Sequence, residues 1–540
     1  MLEKSENLAT LALVLPSSFL EASSFTPARK YLLDHFSTIY ILEIDGASRS
    51  GIRADNLFNT QQGRCIVVAA RSGTAEHNAI VHHLSVVQLK KEAKTKYLSN
   101  FDTRELDNFA TFTPTESTSF SFCPSRPFNE DAYSNYWPLT AIGEPSIFKE
   151  CISGIKLAPT SLLVHASARM LQRRTREIAK NTDSSFDWLK GLNKKPSFEV
   201  LNCFADYWKE KGAKQREALQ KSCKAYSFRP FLTTSALLDE ELTTQLTKEG
   251  KGGTRLRPRL FRTFSDGRTL GIAVSKSPKD QHSCLKQFSS FCWHYPDNDL
   301  CRRGSARIYC NQLADDKTGK IVNNITDDIV LSLLHAYNYS GELPLRDTLI
   351  FYVYAILCSR LYLDTFEGAL YTVSRTNQSP RIPFTAERDV YSKIVDLGVR
   401  LAELENDEYE PGNHLNFNYA ALSAKLSDSF ELQIKDNMFD RDNETVLLSS
   451  LNGETLVIPC PREIQDINVA GYDVIKNAWL KFHSYNYTHC PFSEKDLEDF
   501  LSLLNRLKEY LLILDDLDDA VRGILEGQNN LIYPAFRQEQ

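Results

Sequence analysis

The sequence of 540 residues predicts a mixed α and β protein: an α/β sheet at the N-terminus, then a large α+β region that ends in a helical bundle. Three observations lead to this fold class. Apolar runs alternate with a helical segment near the N-terminus, strand and helix patterns mix through the middle, and leucines recur at helical spacing near the C-terminus. The length suffices for two to four domains with buried cores.

Three apolar runs near the N-terminus predict strands, namely Leu11–Leu15, Ile39–Ile44 and Cys65–Ala70. The first is continuous, which is typical of a strand buried on both faces, and the second is also expected to be buried. Between them, Leu32, Leu33 and Phe36 share one side of a helix predicted over residues 25–36. This succession of strands and a helix predicts α/β structure over residues 1–110.

Charge is distributed unevenly along the chain. Residues 151–310 hold 29 Lys and Arg against 15 Asp and Glu, whereas the remainder holds 34 basic and 54 acidic residues. The basic residues lie among aromatics and prolines, with one arginine cluster between residues 169 and 176. Such a concentration in an acidic protein favours a polyanion, in particular nucleic acid, although a single cluster is also compatible with an ordinary charged surface.

The twelve cysteines form no C-x-x-C pair, and a chain of this size needs no disulfide framework. We therefore expect reduced thiols and a cytoplasmic protein. His77, His82 and His83 are too weakly patterned for zinc, since adjacent residues of a strand face opposite sides, and we expect no metal. The sequence contains no apolar run of membrane-spanning length, so no membrane partner is expected.

The N-terminal strands belong to three longer segments, Leu13–Leu20, Ile39–Gly46 and Asn56–Val68. In this order they resemble the later motifs of gamma-class DNA N6-adenine methyltransferases, and most closely those of Type ISP restriction–modification enzymes. The resemblance implies that residues 1–110 form part of a Rossmann-like methyltransferase sheet. It also implies that Phe58, followed by Gln61-Gln62-Gly63, stacks on an extruded adenine. A core aromatic at the start of a strand is an equally open interpretation of Phe58.

Two elements of that family do not occur in residues 1–110: a glycine-rich loop for S-adenosylmethionine, and the tetrapeptide Asn/Asp/Ser-Pro-Pro-Tyr/Phe that accepts the adenine amino group. We therefore expect the chain to begin after the catalytic tetrapeptide and to hold no catalytic residue. S-adenosylmethionine is expected only if a partner polypeptide supplies these motifs, and that partner could also carry a nuclease–helicase.

Five later segments occur in the order of the Type ISP specificity region, which they resemble: Ser153–Thr160, Tyr226–Phe231, Arg255–Arg259, Pro380–Phe384 and Ala470–Lys481. The resemblance implies a basic target recognition domain over residues 111–328 and a mainly helical part over residues 329–540. An arginine-rich helix is predicted near residues 162–180. A long helix is predicted from Ser493, with an acidic end at Asp515–Asp519 that is expected to be solvated and to face away from DNA.

The predicted partner is double-stranded DNA, and the predicted contacts are basic side chains of residues 151–310. Arginine is suited to both phosphate oxygens and guanine edges. The candidate residues are Lys156, Arg169, Arg173, Arg174, Arg176, Arg229, Arg255, Arg257 and Arg259.

Three functional hypotheses remain open from the sequence. The first is the DNA-recognition portion of a site-specific adenine-N6 methyltransferase in a bacterial or archaeal restriction–modification system, which defends against phage. The second is a stand-alone, non-catalytic DNA-binding protein or the remnant of a broken gene. The third is a complete enzyme with unrecognised chemistry, for which no catalytic arrangement stands out.

Overall fold

The structure, a computed structural model, forms two compact units. One consists mainly of Met1–Phe128, and the other of Asn129–Pro278 and Leu285–Gln540. The predicted domains 1–110, 111–328 and 329–540 differ from these two units, whose boundary lies near residue 128. The residues that the structure describes are 8–20, 25–45, 57, 63–72, 79–87, 89, 91–115, 120–123, 130–180, 198–249, 257–275, 287–301, 306–338, 343–366, 369–370, 379–526 and 530–534.

The first unit is built on a five-stranded sheet. Its strands are β1 (Leu8–Pro16), β2 (Thr38–Asp45), β3 (Arg64–Ser72), β4 (Ile80–Ser85) and β5 (Ala110–Phe112), and its helices are α1 (Thr26–His35) and α2 (Lys91–Ser99). The order across the sheet is β1-β3-β2-β4-β5. Strand β3 runs antiparallel to both β1 and β2, whereas β4 runs parallel to β2. The three strands and the helix predicted for this part of the chain are confirmed.

The burial expected for the first strand is wrong. The run Leu11–Leu15 lies in β1, an edge strand, and much of the surface of β1 is exposed. Leu11 and Leu15 pack against the core, but Leu13 and Val14 are exposed. Strand β2 meets the expectation, since Ile39, Ile41 and Ile44 are buried.

The second unit mixes short strands with helices. Its strands are β6 (Trp137–Pro138), β7 (Ile152–Ser153), β8 (Val164–His165), β9 (Cys223–Arg229), β10 (Leu232–Leu237), β11 (Gly271–Val274), β12 (Ser289–Cys292), β13 (Tyr295–Pro296), β14 (Arg307–Cys310), β15 (Gln312–Ala314), β16 (Ile321–Asn323), β17 (Arg381–Ile382), β18 (Leu432–Gln433), β19 (Phe439–Asp440), β20 (Thr445–Ser450), β21 (Thr455–Pro459), β22 (Asn468–Val469) and β23 (Tyr472–Asp473).

Its helices are α3 (Glu130–Ser134), α4 (Thr160–Leu163), α5 (Ala168–Lys180), α6 (Phe198–Glu210), α7 (Gln215–Ser222), α8 (Glu240–Glu249), α9 (Pro258–Thr263), α10 (Asp327–Ala336), α11 (Leu343–Cys358), α12 (Arg360–Thr365), α13 (Arg388–Leu404), α14 (Tyr419–Ser423), α15 (Arg462–Gln465), α16 (Lys481–His483), α17 (Tyr485–Thr488) and α18 (Glu494–Glu526). In the described part of the chain, no helix has both the length and the apolar character that crossing a membrane requires.

Two four-stranded sheets form the basic part of this unit, with the orders β13-β9-β10-β8 and β12-β11-β14-β7. Helix α5 packs beside the first sheet, against α6 and β10. The single helix predicted near residues 162–180 is an incorrect expectation. The chain forms α4, then β8, and only then α5, because Val164 and His165 pair with β10 instead of continuing a helix.

Long helices dominate the C-terminal half of the unit, as predicted. Helix α13 packs against α11 and α18, and α18 continues for 33 residues. Gly398 of α13 allows a close crossing with α11, since a Cβ at that position would lie 2.1 Å from the carbonyl oxygen of Phe351. Trp479 packs against Phe500 of α18, with ring centroids 5.2 Å apart, so the Ala470–Lys481 segment docks on that helix.

Candidate nucleic-acid interface

The solvent face of α5 carries a stripe of cations. They recur every three or four residues, the spacing that places side chains on one side of a helix. The members of this α5 stripe are Arg169, Arg173, Arg176 and Lys180, and all four are exposed. The opposite face is buried through Leu171, Thr175 and Ile178. Helix α5 is therefore amphipathic, with an apolar face in the core and a basic face in water.

Arg174, also predicted to contact DNA, points the other way. Its side chain is buried, Nη1 donates to the carbonyl oxygen of Ser161 at 2.8 Å, and Nη2 donates to that of Thr488 at 3.3 Å. Burial lowers the pKa of Arg174, and burial together with the Arg174 charge lowers the pKa of neighbouring His165 to about 3. Arg174 thus ties α5 to the elements beneath it, and its guanidinium is not presented to a phosphate.

Within the α5 stripe, Arg173 has an internal partner. Its Nε donates to Oε1 of Glu177 at 2.8 Å, and both side chains are at least half exposed. This hydrogen bond raises the pKa of Arg173. The Nε of Arg176 donates only to a backbone carbonyl, that of Gln172, which leaves the charge of Arg176 uncompensated by this contact.

Two lysines extend the basic surface, and the sequence reasoning did not include them among the contacts. Lys221 is exposed at the end of α7, and Lys224 is half-exposed at the start of β9. Between them, the thiol of Cys223 forms a hydrogen bond with the side chain of Gln172 on α5. This contact places the start of β9 beside α5. In the sequence these residues are only two lysines close together. They have no helical spacing that would assign them to one exposed face.

Arg229 is largely buried in a polar network. Its Nη1 donates to Oδ1 of Asp297 at 3.0 Å, and its guanidinium lies over the ring of Tyr472. The hydroxyl of Tyr226 lies 2.6 Å from Oδ2 of Asp297 and 3.0 Å from the carbonyl oxygen of Ile155. Burial alone lowers the pKa of Arg229, but Asp297, Tyr472 and Asp299 together outweigh that effect, so the pKa is raised. The outward arginine fork expected here is not found, because this charge is compensated internally.

Lys156 emerges from the same network with an exposed side chain. The preceding Gly154 is required there, because a Cβ would lie 2.5 Å from the carbonyl oxygen of Asp297. The amide of Ile155 donates to the carbonyl oxygen of Pro296 at 2.9 Å. These contacts hold the backbone immediately before Lys156 in place, while the ammonium group of Lys156 faces water.

Arg257 and Arg259 lie at the start of α9 and are half-buried. Arg259 forms ion pairs with Glu150 and Asp316, and its Nε donates to the carbonyl oxygen of Ala314 at 2.7 Å. Its charge is thus balanced by two carboxylates. The remaining predicted residues, Arg255 and the aromatic Phe58, lie outside the described residues.

The structure thus brings Arg169, Arg173 and Arg176 together on one exposed face, and it separates Arg174 and Arg229 from that face by burying them. That any of these side chains touches DNA stays a prediction.

The carboxylate at the end of β2 is not available to a cofactor such as S-adenosylmethionine. In open α/β sheets a cofactor binds at the carboxyl ends of the parallel strands. Asp45, at the carboxyl end of β2, is fully buried, pairs with Lys94 at 3.3 Å and accepts the amide of Leu57 at 2.9 Å. This carboxylate is committed to internal contacts and is not available for a cofactor hydroxyl. No group of three or more potential metal ligands occurs in the described ranges.

Comparison with known proteins yields one family and several solved structures. The model of the Type ISP C-terminal specificity domain matches residues 146–496, which include the α5 stripe and the Arg229 network. No curated protein matches the chain.

The solved structures are Type ISP enzymes and a related complex with DNA. The chain is 15% identical to the ATP-dependent Type ISP restriction–modification enzyme LlaBIII bound to DNA, with a TM-score of 0.59 over 96% of this chain and 33% of that one. The chain is 17% identical to the DrdV–DNA complex, solved by cryo-electron microscopy, with a TM-score of 0.60 over 95% of this chain and 51% of that one. It is 15% identical to a nuclease-deletion mutant of the Type ISP enzyme LlaGI in complex with a DNA substrate mimic, with a TM-score of 0.55 over 95% of this chain and 39% of that one. The chain therefore shares their fold and spans between a third and a half of their length.

Proposed function

The chain belongs to the Type ISP C-terminal specificity domain family, whose model covers more than half of it, and on this basis we propose that it recognises a specific sequence in duplex DNA for a restriction–modification enzyme. The single observation that carries the proposal is the α5 stripe, an exposed basic face inside the matched region. The similar solved structures, each described as a complex with DNA or a DNA mimic, support the same partner.

The α5 stripe supplies affinity through the phosphate backbone. Each cation that neutralises a phosphate releases a counterion, and the logarithm of affinity then falls with the logarithm of salt concentration by about 0.9 per contact. From Arg169 to Lys180 the helix rises roughly 16 Å at 1.5 Å per residue. That length is roughly five base-pair steps at 3.4 Å each, enough for several phosphates of one strand. Lys221, Lys224 and Lys156 add further contacts of this kind.

The reaction that this recognition serves is adenine-N6 methylation, and the rest of the catalytic apparatus lies in a partner polypeptide. Two features of the first unit support a partial, Rossmann-like methyltransferase sheet. The parallel strands β1 and β2 flank the antiparallel β3, and β1 presents an apolar edge on which Leu8 and Val14 are 76% and 53% exposed. A strand of the partner adds to this edge and brings the S-adenosylmethionine loop and the Pro-Pro-aromatic tetrapeptide.

In this assembly the chain holds the target DNA, and Phe58 lines the pocket for the extruded adenine. The partner also carries the nuclease–helicase of a phage-defence system, in the cytoplasm of a bacterium or archaeon. The chain alone transfers no methyl group.

A salt titration of DNA binding tests the central part of this proposal. The unmodified chain is expected to bind duplex DNA with an affinity that falls steeply as salt rises. Replacing both Arg169 and Arg176 by Gln should weaken binding and reduce the salt slope by about 2, because two phosphate contacts are lost.

The matched control replaces Arg462 and Arg522, two exposed arginines of the second unit that lie on α15 and α18. This variant has the same change in net charge but should retain the salt slope of the unmodified chain. If the unmodified chain has no salt-sensitive affinity for any duplex, the proposal is wrong.

A further inference from the structure

The acidic residue within the α5 stripe is unexpected for a surface that binds only phosphates. Glu177 is exposed, and Arg169, Arg173, Arg176 and Lys180 lie on the same face of the helix. A carboxylate among these cations repels phosphate oxygens and reduces the counterion release that drives backbone binding. Nor does stability account for it, since an exposed ion pair contributes little to folding.

The geometry of the Arg173–Glu177 pair leaves part of each side chain available. The contact joins Nε of Arg173 to Oε1 of Glu177, at 2.8 Å. It engages neither the two Nη groups of Arg173 nor Oε2 of Glu177, and the side chains are 66% and 50% exposed. The carboxylate therefore orients the guanidinium, while two donor groups and one acceptor atom still face solvent.

These groups match the edges of one kind of base pair. In the major groove guanine presents two acceptors, O6 and N7, to which arginine donates in pairs, and cytosine presents its N4 amino donor, which a carboxylate accepts. That groove is wide enough for an α-helix. Arg169 lies about one turn before Arg173 and Lys180 about one turn after Glu177, while Arg176 lies between the two members of the pair; all three are at positions suited to the flanking phosphates.

We propose that Arg173 and Glu177 are specificity-determining residues that read a G·C base pair from the major groove, with Arg173 donating to the guanine and Glu177 accepting from the cytosine amino group. The proposal rests on the proposed function and assigns one position of the recognition sequence to this pair. The other members of the α5 stripe hold the helix against the backbone.

Selection of preferred sites from a random duplex library tests the assignment. The full chain should select a sequence with a G·C pair that it prefers over other pairs by at least about fivefold, the lower range for one good side chain–base contact. Glu177→Ala should lose the preference at that position and keep the rest of the selected sequence. Glu177→Gln should shift the preference there towards adenine, because an amide pairs with N6 and N7 of adenine.

The matched control is Glu217→Gln, which removes an exposed carboxylate from α7, near Lys221. It should tighten binding to all sequences alike and leave the selected sequence unchanged. Thermal unfolding of each variant should match that of the unmodified chain, because Glu177 and Glu217 are both at the surface.

Three results would overturn the assignment. If Glu177→Ala selects the same sequence as the unmodified chain and only binds all DNA more tightly, Glu177 is a surface counter-charge, while the proposed DNA recognition stands. A selected sequence that contains no preferred G·C pair has the same consequence. If the unmodified chain binds no duplex at all, both the assignment and the proposed function are wrong.

Discussion

The carboxylate of Glu405 is buried where the end of α13 meets β12 and α11. The amide of Phe291 donates to its Oε1 at 3.0 Å, and the hydroxyls of Ser290 and Tyr354 donate to the same carboxylate. Burial raises the pKa of Glu405 from 4.5 to about 7, although these hydrogen bonds oppose the change. The folded protein therefore retains a proton on this residue under conditions in which the unfolded chain has lost it.

This difference makes the stability of the second unit depend on pH. Between pH 4.5 and about 7 the folded state binds one proton more than the unfolded state at this group, so the free energy of unfolding falls as pH rises through that window. The loss amounts to roughly 3 kcal/mol when complete. Glu405→Gln, which keeps the shape but cannot ionise, should lack this contribution. Urea denaturation of both proteins at pH 5, 6, 7 and 8 gives their free energies of unfolding, and the difference between the two proteins at each pH measures the contribution of Glu405.

Because other groups titrate equally in the two proteins, the difference isolates Glu405. The free energy of unfolding of the variant, minus that of the unmodified protein, should increase as pH rises to 7 and then level off. A difference that stays constant over these four pH values would show that Glu405 does not titrate in the window.

The arginines illustrate how burial decides the role of a charge. Arg174 and Arg229 donate to internal oxygen atoms, and removing one partner of a buried ion pair such as Arg229–Asp297 typically destabilises a fold by about 3–5 kcal/mol. Arg169 and Arg176, at the surface, contribute little to stability and can serve a ligand. The same residue type thus supports the fold at two positions and is exposed to solvent at two others.

Among the elements, α11 and α13 cross most closely at Gly398. Helix–helix packing normally separates axes by 8–10 Å, according to the side chains at the contact. Here the missing side chain lets the backbone of α11, at Phe351, approach the backbone of α13 directly. The apolar neighbours on both helices then close the core of the C-terminal half.

We expect Gly398→Ala to destabilise the second unit. Alanine favours a helix by up to about 1 kcal/mol over glycine, but its Cβ would lie 2.1 Å from a backbone oxygen that cannot rotate away. The overlap should cost about 1–3 kcal/mol or more. Thermal or urea unfolding measures the change.

Gly523 in α18 provides the control, because a Cβ there meets nothing within 4 Å. Gly523→Ala should stabilise the protein by about 0.5–1 kcal/mol through helix propensity alone. If both substitutions stabilise the protein, the two helices have room to separate and the close crossing is not required.

The acidic segment Asp515–Asp519, which lies inside α18 because the helix continues to Glu526, is only partly solvated, in contrast to the expectation. Asp515 and Asp518 form ion pairs with Arg360 at the start of α12, and Asp518 also accepts the hydroxyl of Ser359 and the amide of Leu361. Two of these carboxylates therefore fasten α12 to α18. Whether this end faces away from DNA stays a prediction.

At the scale of the whole molecule, the two units have different features. Most of residues 151–310 lie in the second unit, which contains most of the region matched by the family model, whereas the first unit contributes a sheet whose β1 edge is open within the described ranges. In the assembly proposed above, target recognition and methyl transfer are assigned to different polypeptide segments.

Isothermal titration with S-adenosylmethionine tests that division. The chain alone should show no saturable binding, because Asp45 is engaged by Lys94 and residues 1–110 contain no glycine-rich cofactor loop. A complete adenine methyltransferase titrated under the same conditions serves as the positive control. Tight binding by this chain alone would contradict the requirement for a partner.

The sequence predicted several helices and strands correctly, but not the burial and the contacts of their side chains. Hydrophobic periodicity identified β1, β2, β3, α1 and α18, because each reflects a local pattern. It assigned the wrong burial to β1, since a continuous apolar run shows that a strand can be covered on both faces but not whether another strand lies beside it. Helical spacing places Arg174 on a different face from Arg173 and Arg176. The prediction grouped these arginines by their number in the segment and did not use that spacing.

The sequence by itself determined the uneven charge, the order of the N-terminal strands and helix, and the resemblance to the Type ISP specificity region, because these properties are carried by neighbouring residues. Only the tertiary structure decided which arginines face solvent, how Glu405 and Asp45 are engaged, and where Glu177 lies relative to the cations of α5. Those outcomes depend on partners far along the chain, such as Thr488 for Arg174 and Asp297 for Arg229. Folding sets these distances, and no local pattern of residues encodes them.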